Sequence, residues 1–347
     1  MVQGAETIIP SSVCSESCTL GYRKMIRKGQ PICCFDCVPC SQGEIANTTG
    51  STSCFKCPED HWSNERHDAC ILKTIEFLSY NDPLGTSLAA AAISLTFISL
   101  SFLLIFIKYR NTPIVKANNR ELSYFLLASL QLCFLCSLMF IGHPVNITCI
   151  LRQTVFGSIF SMSVSLVLSK TVTVVIAFKA THPSSVLHKW FGSNTSTVIV
   201  FFCTLGQIII CAVWLANAPP FVETNTWSLT NIIIIECNEG NRMYFYLILG
   251  YMGSLASVCF VLAFLARKLP DTFNEAKYIT FSMLIFVSVW LSFIPAYLST
   301  QGKNMVAVEI FAILSSSLGL LICIFLSKCY IILLKPEMNT RKHIRGK

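Results

Sequence analysis

Residues 33–40 read CCFDCVPC, four cysteines in eight positions, and a second pair, Cys54 and Cys57, begins fourteen residues after Cys40. Thiols at such spacing do one of two things: they hold a metal or they hold each other. Cys37, Cys40, Cys54 and Cys57 make the pattern C-x2-C-x13-C-x2-C, close to a zinc ribbon. Five more cysteines, Cys14, Cys18, Cys33, Cys34 and Cys70, share the segment and have no place in such a site. A glycosylation sequon at Asn47 lies between the two pairs, as in a secreted loop. The balance favours disulfides in an oxidising compartment, with no metal and no cofactor. About 60 residues cannot bury much apolar surface, so bridges must supply much of the stability. Spacing leaves the connectivity open, and nine is an odd number.

The elements that must carry this segment are of another kind. The chain has 347 residues, 53% hydrophobic and only 13% charged, against roughly 25% charged in a soluble protein. Seven long apolar stretches follow one another: Leu84–Ile107, Leu122–Ile141, Val155–Phe178, Thr197–Ala218, Met243–Ala266, Tyr278–Leu298 and Met305–Leu326. Each is about the 20 residues that cross a bilayer as a helix. Lys108, Arg110, Lys116 and Arg120 lie in the first connector, Lys179 and Lys189 in the third, and Arg267, Lys268 and Lys277 in the fifth. The tail adds Lys335, Arg341, Lys342, Arg345 and Lys347, whereas the even connectors are nearly devoid of basic residues. The positive-inside rule places the odd connectors and the tail in the cytoplasm and the cysteine segment outside. The net charge of +8 is therefore read as a membrane-facing inner surface rather than a nucleic-acid site. The expected fold is an all-α membrane protein, a seven-helix bundle preceded by a small disulfide-rich module of β-hairpin type. Its boundaries are 1–80, 81–334 and a short basic tail at 335–347. The start, MVQGAETIIPSSV, lacks the basic and apolar regions of a signal peptide.

Several long stretches then resemble one family. PSSVCSESCTLGYRKMIRKGQPICCFDCVPCSQGEIAN with CFKCPEDHW, TPIVKANNRELSY, ARKLPDTFNEAKYITFSML and KCYIILLKPE are similar to class C G-protein-coupled receptors over essentially the whole chain. AFKATHPSS, VWLANAPPF and STQGKNMVAVEIFAIL look most like vomeronasal type-2 receptors and their fish olfactory relatives, with metabotropic glutamate and calcium-sensing receptors expected to be more distant. The resemblance implies bridges Cys14–Cys34, Cys18–Cys37, Cys40–Cys54 and Cys57–Cys70. Cys33 would be left for an upstream bilobed ligand-binding module that this chain lacks, so a shortened receptor is expected. A fifth bridge, Cys149–Cys237, would tie the third span to the outer connector IECNEG.

The family also supplies roles for residues inside the bundle. Lys170 is a charge within the third span, where ionisable groups are costly and tend to be functional. The resemblance implies a salt bridge to Glu275 that locks the inactive arrangement; the plainer reading has Lys170 reaching to the lipid headgroups. Trp290, five residues before Pro295, is the expected moving part of the sixth span. Glu309 is expected to make a simple cap or water contact near the outer face. Arg120, Lys179, Lys189, Arg267, Lys268, Lys328 and Tyr330 form the expected G-protein-facing set. Ser327 stands where the family has a proline, which should leave that helix straighter. No HExxH, GxSxG or Walker lysine loop appears, so an enzyme is not expected. The implied activity is chemosensory signalling through a heterotrimeric G protein, as a homo- or heterodimer in the plasma membrane with lipid around it. A signalling-dead fragment and a channel or transporter are the alternatives; the second lacks the internal repeat and midplane charges it would need.

Overall fold

The computed structural model describes residues 14–179, 193–226, 231–267 and 275–335, with 337 and 339, and their side chains except at 177–179, 193–194 and 275. The chain divides into two compact units, Met1–Glu76 with Thr224–Ile234, and Phe77–Glu223 with Ile235–Lys347.

The first unit is built from short strands. β1 (Tyr22–Ile26) and β2 (Phe35–Pro39) pair antiparallel, with Tyr22 opposite Pro39 and Ile26 opposite Phe35. β3 (Glu44–Ile45) pairs with β4 (Phe55–Lys56), and β5 (His61–Ser63) with β6 (Cys70–Leu72). β7 (Thr74–Glu76) runs parallel to residues 232–234 of β9 (Ile232–Asn238), which also pairs with β8 (Phe221–Asn225). Two-stranded ribbons are marginal alone, and here sulfur supplies the interior. Among the described residues of this unit the buried apolar positions are Cys18, Cys40, Ala46, Cys57 and Ile234. Bridges join Cys18 to Cys37, Cys40 to Cys54 and Cys57 to Cys70, with Cα separations of 5.5–5.8 Å. Each loop so closed contributes about 2–4 kcal/mol, chiefly by restricting the unfolded chain. Gly21 has a φ of +83°, and a β-carbon there would collide with the Arg66 carbonyl, so glycine is required where the chain enters β1.

The second unit is helical. Among the described residues, seven helices are long and apolar enough to cross a membrane. They are α1 (Pro83–Lys108), α3 (Arg120–Cys136, extended by a 3-10 turn to Phe140), α4 (Asn146–Lys179), α5 (Ser193–Asn217), α6 (Arg242–Ala266), α7 (Glu275–Ser299) and α8 (Lys303–Leu321). A short α2 (Pro113–Ala117) lies in the first connector. α4 is the central helix, packed on α3, α5 and α6, and much of it is buried, whereas α1 and α5 expose most of their surface. The buried seam of α4 is lined with serines: Ser161, Ser163, Ser165 and Ser169. Small hydroxylated residues let helices approach closely and hydrogen-bond across the contact. Ser163 donates to Ser129 of α3 at 3.0 Å, and Ser169 to the Ser196 carbonyl of α5 at 3.2 Å.

Two helices differ from the expectation. α4 begins at Asn146, nine residues before the apolar stretch does, because its first turns carry polar residues that are buried against neighbours. The last span is not straightened by Ser327. After Leu321 it makes a π turn over Ile322–Leu326 and resumes as α9 (Ser327–Leu334). Losing a proline removes one cause of irregularity, and an inserted wide turn is another.

Candidate functional site: a polar hub and an aromatic column within the helical unit

At the end of the bundle that carries the first connector, two buried lysines converge on one asparagine. Asn118 ends α2, and Asn119, which follows it, has a φ of 48°, a left-handed conformation that asparagine tolerates. This bend turns the Asn118 side chain and carbonyl inward, leaving the residue 5% exposed. Lys170 of α4 donates to the Asn118 carbonyl at 2.8 Å, to its Oδ1 at 3.2 Å and to Ser123 Oγ at 2.9 Å. Lys328 of α9 donates to the same Oδ1 at 2.6 Å. Ser123 in turn donates to the Asn118 and Asn119 carbonyls. Lys170 and Lys328 are 2% and 4% exposed, so both ammonium groups have left water and depend on these acceptors. A hydrogen bond to a charged group is worth about 1.5–3 kcal/mol. The hub therefore fastens the first connector to the third and seventh spans.

Lys170 is thus buried rather than reaching outward. Its expected partner Glu275 begins α7, and that side chain lies outside the described residues. Lys328 does not face a G protein: its side chain points into the bundle and is occupied by Asn118. Of the other residues in that set, Arg120 and Arg267 are exposed, with the Arg267 guanidinium 3.6 Å from the centre of the Phe264 ring. Tyr330 is also exposed, and Lys335 lies over its ring. The Lys179 side chain, Lys189 and Lys268 lie outside the described residues.

Nearer the opposite end, rings from α4, α6 and α7 form a column. Phe160 stacks on Phe286 at 5.4 Å and meets Trp290 edge-on at 5.5 Å. Trp290 also stacks on Phe156 and touches Phe293, which continues to Tyr297 and on to Phe245. Such pairs add about 0.5–1.5 kcal/mol each beyond the area they bury. Pro295 lies inside α7, exposed, between Phe293 and Tyr297. The column ends on the connector before α6: Tyr297 donates to Glu239 Oε1 at 2.5 Å, and Trp214 Nε1 donates to the Glu239 carbonyl at 3.1 Å. Two residues before Glu239, Cys237 is bridged to Cys149 at the start of α4.

Glu309 is not a surface cap. It is 3% exposed and accepts from Gln153 Nε2 at 2.8 Å, because α8 begins at Lys303 and carries Glu309 nearly two turns inward against α4. The sequence gave no hint of Asn118 as a hub. Its only signal is a polar pair, Asn118–Asn119, between two helical segments, which reads as an ordinary turn.

In the first unit, Asn47 is exposed. The expected Cys14–Cys34 bridge is absent. Cys14, Cys33 and Cys34 are all free, and Cys14 Sγ lies 2.7 Å from the Cys33 sulfur rather than being joined to Cys34. Cys33 is thus not the isolated thiol of the three.

A seven-helix bundle with a disulfide at the head of its third span, after a module closed by cystines, narrows the comparison to few families. Residues 78–328 match the family model described as the 7 transmembrane sweet-taste receptor of family 3 G-protein-coupled receptors. Residues 9–63 match the Nine Cysteines Domain of family 3 receptors. The chain belongs to the class C G-protein-coupled receptors. It is 56% identical over 333 residues to vomeronasal type-2 receptor 26 of Mus musculus, covering 96% of this chain and 39% of that receptor. To vomeronasal type-2 receptor 116 of Mus musculus it is 50% identical, over 98% of this chain and 40% of the other. The extracellular calcium-sensing receptor of Homo sapiens is 52% identical, over 97% and 31% respectively. Calcium-sensing receptors are thus no more distant than one of these vomeronasal receptors, contrary to the motif-based expectation. The chain spans about two fifths or less of the length of these relatives. As a class C chain with seven apolar helices it is a multi-pass membrane protein.

Proposed function

We propose that this chain is the signal-transmitting part of a chemosensory class C receptor. It lies in the plasma membrane with its cysteine-rich unit outside and couples to a heterotrimeric G protein at the cytoplasmic ends of its helices, as a homo- or heterodimer. The observation that carries the reading is the hub. Two buried lysines from the third and seventh spans share one connector asparagine at the end where the basic connectors lie. A bundle held at that end by a few charged hydrogen bonds has a local contact whose loss frees the helix ends a G protein must engage. Activation is then a population shift, in which the partner binds the released arrangement better than the held one. Lys170 and Glu275 are assigned as the ionic part of that lock, Trp290 and Pro295 as the part of the sixth span that moves, and Arg120, Lys179, Lys189, Arg267, Lys268 and Tyr330 as the partner-facing set.

The test is nucleotide exchange on purified G protein by the chain in lipid nanodiscs. Glu275→Ala should raise basal exchange, Glu275→Lys should raise it further, and Lys170→Glu with Glu275→Lys should restore part of the silence. Unchanged exchange across all three at equal incorporation removes the lock. No exchange in any variant, with a full-length relative active in the same assay, removes the signalling reading.

A further inference from the structure

Three cysteines of the first unit stand outside its bridges, and they stand together. The sulfur atoms of Cys14, Cys33 and Cys34 all lie within 4.8 Å of one another. Local structure explains the convergence. Cys33–Cys34 is the dipeptide just before β2, set by a turn in which the Cys34 N–H donates to the Pro31 carbonyl at 2.8 Å. The Phe35 N–H donates to Ser15 Oγ at 3.1 Å, which pins the residue after Cys14 beside the start of β2. The Cys18–Cys37 bridge holds the same two stretches together a few residues further on. Cys14 is therefore held opposite a pair of adjacent thiols, and no tie assigns it to one of them. Adjacent Cα atoms are about 3.8 Å apart, closer than the roughly 4.4–6.8 Å that a disulfide spans. Cys33 and Cys34 are thus poor partners for each other, and each is in reach of Cys14.

We propose that Cys14, Cys33 and Cys34 form a thiol–disulfide exchange site, in which Cys14 bridges either neighbour and the remaining thiol is a modification site for a small disulfide of the glutathione class. The first bridge forms when a disulfide donor accepts two electrons from Cys14 and one neighbour, leaving as two thiols with their two protons. Exchange then needs no further oxidant. With Cys14 joined to Cys33, the Cys34 thiolate attacks the Cys14 sulfur, the Cys14–Cys34 bond forms, and Cys33 leaves as a thiolate. Attack by the leftover thiolate on oxidised glutathione forms a protein–glutathione disulfide and releases one glutathione thiolate, which takes up a proton. Cys14 and Cys33 are exposed and Cys34 partly so, which gives the reagent access. Hydrogen bonding to Cys14, and then burial, raise the Cys33 thiol above its ordinary range, so a free Cys33 is held protonated and exchange started from it is slow at neutral pH.

The experiment uses the full chain made through a secretory pathway, purified without reductant, alkylated in acid and mapped without reduction. Fragmentation between residues 33 and 34 locates the label. The wild type should contain both isomers, Cys14–Cys33 and Cys14–Cys34, each with one alkylated neighbour. Cys33→Ser and Cys34→Ser should each still place Cys14 in a bridge. Oxidised glutathione should add once per wild-type chain, at Cys33 or Cys34. The idea fails if the wild type holds Cys14–Cys34 alone, if Cys34→Ser leaves Cys14 alkylated, or if no adduct forms. It fails equally if all three thiols alkylate only after a chelator strips bound zinc. The wild-type isomer ratio decides the matter even where a variant folds poorly.

Discussion

At the scale of single residues, the lysines were legible and their partner was not. A lysine inside an apolar stretch announces itself, because burying its charge is costly and needs acceptors. An asparagine in a connector does not, since asparagines occupy turns for reasons that have nothing to do with function. Yet Asn118 Oδ1 and carbonyl serve both buried ammonium groups. Asn118→Leu should therefore cost about 1.5–3 kcal/mol for each charged hydrogen bond that finds no substitute, seen as a lower melting temperature in nanodiscs. It should also raise basal nucleotide exchange, because the first connector is no longer fastened. Asn118→Asp keeps the acceptors and adds a charge opposite to both lysines, so it should lower basal exchange below wild type. If Leu and Asp shift exchange in the same direction, the hub acts by packing rather than by charge. The cysteines show the same limit differently. Their number and spacing announced disulfides, but the choice between two adjacent thiols for Cys14 depends on a turn that spacing does not encode.

At the scale of elements, hydropathy located the helices and misjudged their ends. A transfer scale sees the apolar centre of a span. It misses turns such as Asn146–Thr154, whose Arg152 and Gln153 are polar but buried. The start of α1 shows how such ends are held. Pro83 occupies the first helical turn, where its missing N–H costs nothing. Asp82 caps the helix by accepting from the Leu84 N–H at 3.3 Å, and it pairs with Lys303 at the start of α8 at 2.9 Å. The hydrogen bond from Lys303, then that from Leu84, hold the Asp82 carboxyl below its ordinary range. A lowered folded pKa means the contribution is fully present above the unfolded value of about 3.9 and is lost as pH falls through the folded value. Asp82→Asn keeps the cap and removes the charge. Its melting temperature should lie below wild type at pH 7, and the two should converge as pH is lowered below the ordinary carboxylate range. A gap that persists in acid would assign the loss to the cap rather than to the ion pair.

At the scale of the whole molecule, seven spans and the alternation of basic connectors were readable from composition alone, because lipid allows few solutions to the backbone problem. What composition does not give is which face of each helix is turned inward; that is set by residues such as the α4 serines and by close approaches such as Gly319 against Ile285. The topology has a direct chemical readout. Asn47 is exposed in the cysteine-rich unit, and Asn194 lies in the first turn of α5 after the third connector. In cells, peptide mapping after glycosidase treatment in heavy water should find Asn47 modified and Asn194 unmodified. A glycan at Asn194 would place the third connector outside and overturn the seven-span topology.

The π turn in the last span bears on how that helix should be numbered. Phe311 and Cys329 are eighteen residues apart, which on an uninterrupted α-helix is five full turns, so both should point the same way. Phe311 is 65% exposed and Cys329 is 3% exposed. The wide turn over Ile322–Leu326 absorbs the mismatch, acting as a phase shifter between two stretches whose inward stripes are out of step. Deleting one residue from 322–326 should bring the stripes back into step. Cys329 would then face the acyl chains and react with a membrane-soluble maleimide that leaves it untouched in the wild type, and Tyr330 would move off the face it now presents. A helical wheel drawn through the whole span, with no break at Leu321, assigns the wrong face to the segment that carries the hub lysine.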